Sequence, residues 1–189
     1  MRPINLYAFI HDSVSSATIQ NLKNVHFDHF TRELSDISER TVNVDIRRHI
    51  PGVTDYDYKG NDVNASVNEW NRLASQYAYD VGITSFQTDR YLLIIEGFVH
   101  GSVVGIAQWG GRTGNSLIAS TLDDSTIAHE VGHTFGARHT GVMQSPDPAH
   151  RGQVCSSYMA TTDDVGTCSL YRYSTINRDR IQDFLDRQD

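Results

Sequence analysis

Residues 129–139 read His129-Glu130-Val131-Gly132-His133-Thr134-Phe135-Gly136-Ala137-Arg138-His139, and the rest of the chain is read outward from them. His129 and His133 are four apart, so on a helix both imidazoles share one face and reach a single metal. Glu130 is rotated by about 100° around the same axis. It therefore flanks a metal rather than binding it, placed to take a proton from bound water. Ile127, Val131 and Phe135 point the other way and anchor the helix in a core. A third ligand six residues past His133 is out of reach along a straight helix. Gly136 tolerates the left-handed conformation that ends one and swings His139 back. Three neutral histidines with an open fourth position describe a catalytic site for one Zn²⁺, not a closed structural site. His11, His26, His29, His49, His100 and His150 lack such spacing and read as surface or hydrogen-bonding residues.

Ahead of the motif, Ile4–Ile10 alternates as a strand, and Asn24–Glu39 has helical spacing at Phe27, Phe30, Leu34 and Ile37. Thr41–Ile46 is a second strand with Val42, Val44 and Ile46 on one face. Turn-rich chain from Pro51 to Asn61 leads to a helix over Val63–Tyr79, with Val67, Trp70, Ala74 and Tyr77 inward. Strands are expected over Tyr91–Phe98, Val103–Trp109 and Ser116–Thr121, the last two separated by Gly110, Gly111 and Gly114. Asp123–Ser125 supplies N-caps for the histidine helix. Irregular chain follows His139. Ser174 then caps a final helix, Thr175–Arg187, whose inner face is Ile176, Ile181, Phe184 and Leu185. The order predicts an α+β chain with a small irregular C-terminal part ending in a helix.

At 189 residues and 39% hydrophobic content the chain suits one domain with a substantial core. A formal net charge of −7 argues against nucleic acid or an anionic membrane as partner. No segment is long and apolar enough to span a membrane. Cys155 and Cys168 are a disulfide, a metal pair or two unrelated buried thiols. Their spacing is wide for a zinc pair, which favours the disulfide and with it an oxidising compartment. The expected form is mature, secreted or periplasmic, without its signal or any pro-segment. Asp55, Asp57, Gly60 and Asp62 look like a calcium loop, but Lys59 sits at a ligand position and no glutamate follows, so calcium is not expected. The sequon Asn64-Ala65-Ser66 carries no weight.

The histidine motif resembles the extended zinc signature of the metzincin metallopeptidases. That family places a methionine turn beneath the zinc, and Ser157-Tyr158-Met159-Ala160 looks like it; Met143 is the competitor. The resemblance implies a twisted, mostly parallel five-stranded sheet with an antiparallel edge strand. It also implies two long helices plus the active-site helix, with an upper subdomain (1–136) and a lower one (137–189) forming a single catalytic domain. Thr140 after the third histidine and Thr161 two past Met159 match no major branch. Cys155 ahead of the turn looks distantly adamalysin-like, and bacterial toxin-type metzincins are similar in size.

The function expected is a zinc-dependent endopeptidase, hydrolysing protein substrates by Glu130-assisted attack of zinc-bound water. The resemblance implies an extended peptide along the edge strand, with Gly105, Ile106, Ala107 and Trp109 as contacts and Thr161 walling a specificity pocket with Thr162, Asp163 and Asp164. A plain core strand is the alternative reading of that segment. Rival functions are the catalytic A-type component of a secreted bacterial toxin with a B-subunit or inhibitor as partner, a zinc-bearing binding module without turnover, and a zinc hydrolase of a non-peptide bond. The intact Glu130 argues against the inactive module.

Overall fold

A computed structural model describes residues 1–59, 62–108, 115–161 and 168–188. The elements run β1 (Ile4–Ile10), α1 (Ser16–Leu22), a π-turn (Lys23–Phe27), α2 (Asp28–Ser38), β2 (Val42–Arg47), α3 (Val63–Asp80), β3 (Arg90–Ile95), β4 (Gly105–Ala107), β5 (Ser116–Ser120) and α4 (Thr126–Thr134). Beyond α4 come β6 (Gln144–Asp147), a 3-10 turn (Pro148–His150), β7 (Gln153–Ser156), β8 (Cys168–Ser169) and α5 (Thr175–Asp186).

The first five strands form one sheet in the order β2-β1-β3-β5-β4, parallel except for β4, which runs antiparallel to β5 at the edge. This is the expected sheet, with its antiparallel edge strand. Central β3 is buried along its whole length, and its period-2 alternation divides two cores. Leu92 and Ile94 face the layer of Phe30, Leu34, Ile127, Val131 and Ile181. Tyr91, Leu93 and Ile95 face α3 through Trp70, Ala74 and Ala78. Trp70 Nε1 donates to the Tyr91 carbonyl at 3.1 Å, so the buried indole is satisfied.

Several expectations are corrected in detail. The first helical run begins at Ser16, not Asn24, with Ser15 accepting from Thr18 N at 3.2 Å. The π-turn hides this in the sequence: it sets the buried Leu22 and Phe27 five positions apart, so the apolar stripe of α1 is out of phase with that of α2. Ile46 is 44% exposed. It lies near the end of edge strand β2, where only Val42 and Val44 reach the core. Ser125 precedes α4 but makes no side-chain cap bond. Instead Asp123 Oδ1 accepts from Ser125 N at 2.8 Å and turns the chain into the helix. In α5, Ile176 is 51% exposed and Asn177 is fully buried in its place.

The chain after His139 is more regular than expected. β6, β7 and β8 form a three-stranded sheet. Strands of two to four residues are too short for alternation to show, and Pro146 sits on edge strand β6, where a missing donor is tolerated. The Cys155–Cys168 disulfide ties β7 to β8 at paired register positions. Gly60, Trp109, Gly110, Gly111, Gly114, Thr162, Asp163 and Asp164 lie outside the described residues.

Because the disulfide closes a loop with a sequence separation of 13, reduction or a double Cys→Ser change should cost about 2–3 kcal/mol of unfolding free energy. Denaturant titration with and without a dithiol checks this; an unchanged midpoint would show that the short sheet holds without its crosslink.

Candidate active site

Helix α4 ends where the histidine geometry needs it to. Ala137 N bonds back to Gly132 O at 2.9 Å and Gly136 N to His133 O at 3.0 Å, with Gly136 at φ +91°. That pair of bonds is a left-handed C-terminal cap, and only glycine takes the φ without strain. Asn177 then grips the chain beyond the turn: its Oδ1 accepts from Arg138 N and its Nδ2 donates to Arg138 O, both at 2.9 Å. His139 follows immediately.

The three imidazoles converge. His129 and His133 Nε2 lie 3.1 Å apart, His129 and His139 Nε2 3.1 Å, and His133 and His139 Nε2 3.0 Å. His129 Nδ1 is 2.7 Å from the Tyr158 carbonyl, and His133 Nδ1 is 3.1 Å from the Ala137 carbonyl. Carbonyls only accept, so both Nδ1 atoms carry the hydrogen and both Nε2 atoms present lone pairs. Burial, then the neighbouring His133, pulls His129 down to about 3. Burial first, with His139 adding to it, pulls His133 down to about 4. Neutral imidazoles with lone pairs at this spacing fit a tetrahedral cation at zinc–nitrogen distances of about 2.0–2.1 Å.

Glu130 is 6% exposed, and burial pushes its carboxyl up to about 8. It packs on the edge strand so closely that a Cβ on Gly105 would lie 2.5 Å from Glu130 Oε1. Beneath the helix, a Cβ on Gly132 would meet Tyr173 Cε1 at 2.7 Å and Met159 Sδ at 2.9 Å. The segment 157–160 is a tight turn closed by Ala160 N to Ser157 O at 3.0 Å. Met159 is fully buried, whereas Met143 is half-buried and pairs with Ser157 through its backbone.

A cleft of about 1110 Å³ runs over these groups, lined by Gly105, Ile106, Ala107, Glu130, Thr161 and the three histidines, among others. Of the expected substrate-site residues, Trp109, Thr162, Asp163 and Asp164 are outside the described residues. His150 lies within 4.8 Å of both sulfurs at the cleft's far wall, but the sulfurs are joined to each other, so they are not thiolate ligands.

Several supporting residues were not foreseen. Buried Arg90 donates to Thr134 Oγ1 at 2.6 Å and Thr134 O at 2.9 Å, and stacks over Phe135 at 3.8 Å. Burial pulls the pKa of its guanidinium down to about 9, and the group meets the carbonyl end of α4. Tyr173 donates to Ala128 O at 2.6 Å. Of these only Gly132, a glycine inside a helical pattern, carried a signal in the sequence.

Residues 7–184 match the family Reprolysin_5, metallo-peptidase family M12. The chain belongs to that metallo-peptidase family, and its fold is metzincin-like. Over 89 residues it is 37% identical to human (Homo sapiens) and 36% identical to mouse (Mus musculus) "A disintegrin and metalloproteinase with thrombospondin motifs 10"; each match takes in 44% of this chain and 8% of the relative. This chain therefore spans only a small part of those relatives' length. Among solved structures, metalloproteinase-II from Bacteroides fragilis superposes with a TM-score of 0.63 at 18% identity, covering 97% of this chain and 53% of that one. A zinc-dependent peptidase from Methanocorpusculum labreanum gives 0.55 at 15% identity, covering 93% and 99%. Archaemetzincin from Methanopyrus kandleri gives 0.53 at 18%, covering 98% and 97%. At these identities the superpositions speak for the fold.

Gly105→Ala should displace Glu130 and lower kcat about 100-fold while zinc affinity holds; equal loss of both would place the fault in the fold rather than at Glu130. The metal-free protein should also show a pH signature. The folded Glu130 value, about 8, lies above the ordinary 4.5, so its contribution is full below 4.5 and is lost as pH rises through about 8. Glu130→Gln should thus melt roughly 5 °C or more above the wild type at pH 8.5 without metal, with the gap closing toward pH 4.5. Parallel melting curves at both pH values would refute that.

Proposed function

We propose that the chain is an endopeptidase domain whose upper part (1–136) carries the sheet and α4 and whose lower part (137–189) supplies His139 and the Met159 turn. The observation that carries this reading is that the buried Glu130 carboxyl packs against Gly105 of the edge strand in the same cleft that the three converging histidines line. His129, His133 and His139 would hold one zinc ion. When bound, zinc acidifies a water molecule and polarises a carbonyl as a Lewis acid.

Glu130 does the proton work on this reading: one carboxylate oxygen accepts a proton from the attacking water and returns it to the leaving amine. Its apolar surroundings make it a stronger base than a solvated carboxylate. The edge strand orients the peptide. Val104 O and Gln108 N are bonded to β5 through Ser120 N and Ser116 O, and Ile106 pairs with Ile118. Antiparallel alternation then turns the N–H and C=O groups of Gly105 and Ala107 toward the cleft. An extended protein substrate adds there as a further strand, drawing affinity from main chain and selectivity from pockets that include Thr161. The disulfide supports an exported protein working in an oxidising compartment.

Digestion of a proteome-derived peptide library, with and without a chelator, tests this reading. Internal cleavages that stop on chelation and return with added zinc are expected. Glu130→Ala should keep its zinc and its fold yet lose about 10³-fold or more in turnover. Undiminished cleavage by that variant would remove Glu130 from the reaction.

A further inference from the structure

The π-turn and the residues just after it touch the methionine turn from below the cleft, and a hydrogen-bonded path runs from one to the other. His29 Nε2 is 2.6 Å from the Val25 carbonyl, and His29 Nδ1 is 2.7 Å from the Tyr158 hydroxyl. The carbonyl can only accept, so Nε2 carries the hydrogen and Nδ1 is the bare acceptor. Tyr158 must then be the donor. The same residue's carbonyl accepts from His129 Nδ1 at 2.7 Å. One tyrosine thus joins His29 at its side-chain end to a zinc-binding imidazole at its backbone end.

The surroundings leave this tyrosine little freedom. Tyr158 is 2% exposed. Its ring meets Tyr173 edge-on at 5.0 Å and lies 5.9 Å from the His29 ring. The His29 ring in turn packs against Tyr171 at 4.6 Å. Tyr171, held at φ +51°, donates its hydroxyl to Asp124 just ahead of α4. The π-turn serves the same arrangement: Asp28 N bonds back five residues to Lys23 O, and within that turn the Val25 carbonyl takes the His29 ring. An extra residue in a helical turn carries an energetic penalty and tends to persist where it aims a side chain.

We propose that His29 is a positioning residue for the zinc site: by fixing the Tyr158 hydroxyl it fixes the Tyr158 carbonyl, and so the tautomer and orientation of His129. It touches neither metal nor substrate and acts only through Tyr158. The inference rests on the three histidines holding zinc, but not on the peptide reaction. Partners that bond directly to a ligating histidine are worth about 10–100-fold in metal affinity. His29 stands one bond further out, so roughly a 3–10-fold effect is expected.

The test is zinc affinity, measured by competition with a chromophoric chelator on the whole chain, together with melting of the metal-free protein. His29→Leu and Tyr158→Phe should each weaken zinc by that factor, and the double variant should weaken it no more than either single change. His29→Asn, whose Oδ1 replaces the Nδ1 acceptor, should restore most of the loss. Lower melting temperatures with unchanged zinc affinity would make the contact purely structural and overturn the proposal, as would additive losses or no rescue by asparagine. A histidine-dependent zinc affinity in a protein that cleaves no peptide would leave this inference standing and overturn the endopeptidase reading alone.

Discussion

Three imidazole Nε2 atoms converge to 3.0–3.1 Å of one another. The chain has to bring them together from two elements, and several residues beyond the cleft serve that convergence. Two of the rings ride on one face of α4, so the helix must be rigid. The third arrives from outside, so the helix must also stop within three residues of His133. The left-handed cap at Gly136, the Asn177 clamp on Arg138 and the Arg90 guanidinium on the last carbonyls of α4 all serve the stop rather than the ring positions themselves.

The floor under the helix is equally constrained. Gly132 has no side chain because Met159 and Tyr173 occupy the space a Cβ would need. Tyr173 bonds to α4 through Ala128 O, and its own N–H reaches Glu33 on α2 at 3.0 Å. Glu33 is paired in turn with Arg178 on α5 at 2.6 Å. With Glu33 mostly buried, breaking this pair from one side would strand a charge inside the protein. The three helices around the site are thus coupled through two residues, Glu33 and Tyr173, neither of which faces the cleft.

The sequence disclosed these features unevenly, and the reasons are physical. The convergence of the three histidines was legible because helical periodicity and a glycine stop are local rules within eleven residues. The parallel strands were legible because Ile4–Ile10 and Thr41–Ile46 alternate and because burial on both faces of β3 leaves a continuous apolar run, Tyr91–Ile95. The antiparallel edge came from family resemblance rather than from residues, since three residues of β4 carry no pattern. Phase-dependent reading failed at the π-turn, and it failed again for β6 to β8, which are shorter than the period being sought. His29 was taken for an ordinary histidine because its significance lies in a contact 129 positions away. Asn177 was passed over for Ile176 because burial of a polar residue is decided by its partner, Arg138, and not by its own type.

Glu130 connects the two halves of the proposed chemistry. Its carboxylate rests against Gly105, the same residue whose backbone faces the cleft at the edge of the sheet. A peptide that pairs with β4 therefore docks on the strand that sets the base's position, with no intervening side chain to absorb a shift. Bulk at position 105 is excluded not by a turn or an unusual φ but by this contact. Substrate alignment and proton transfer then share one van der Waals surface. On the proposed reading, a substrate that fails to seat on the strand also fails to meet a correctly placed base. Discrimination would then appear in turnover as well as in binding, because the strand that grips the main chain is the wall that holds the carboxylate.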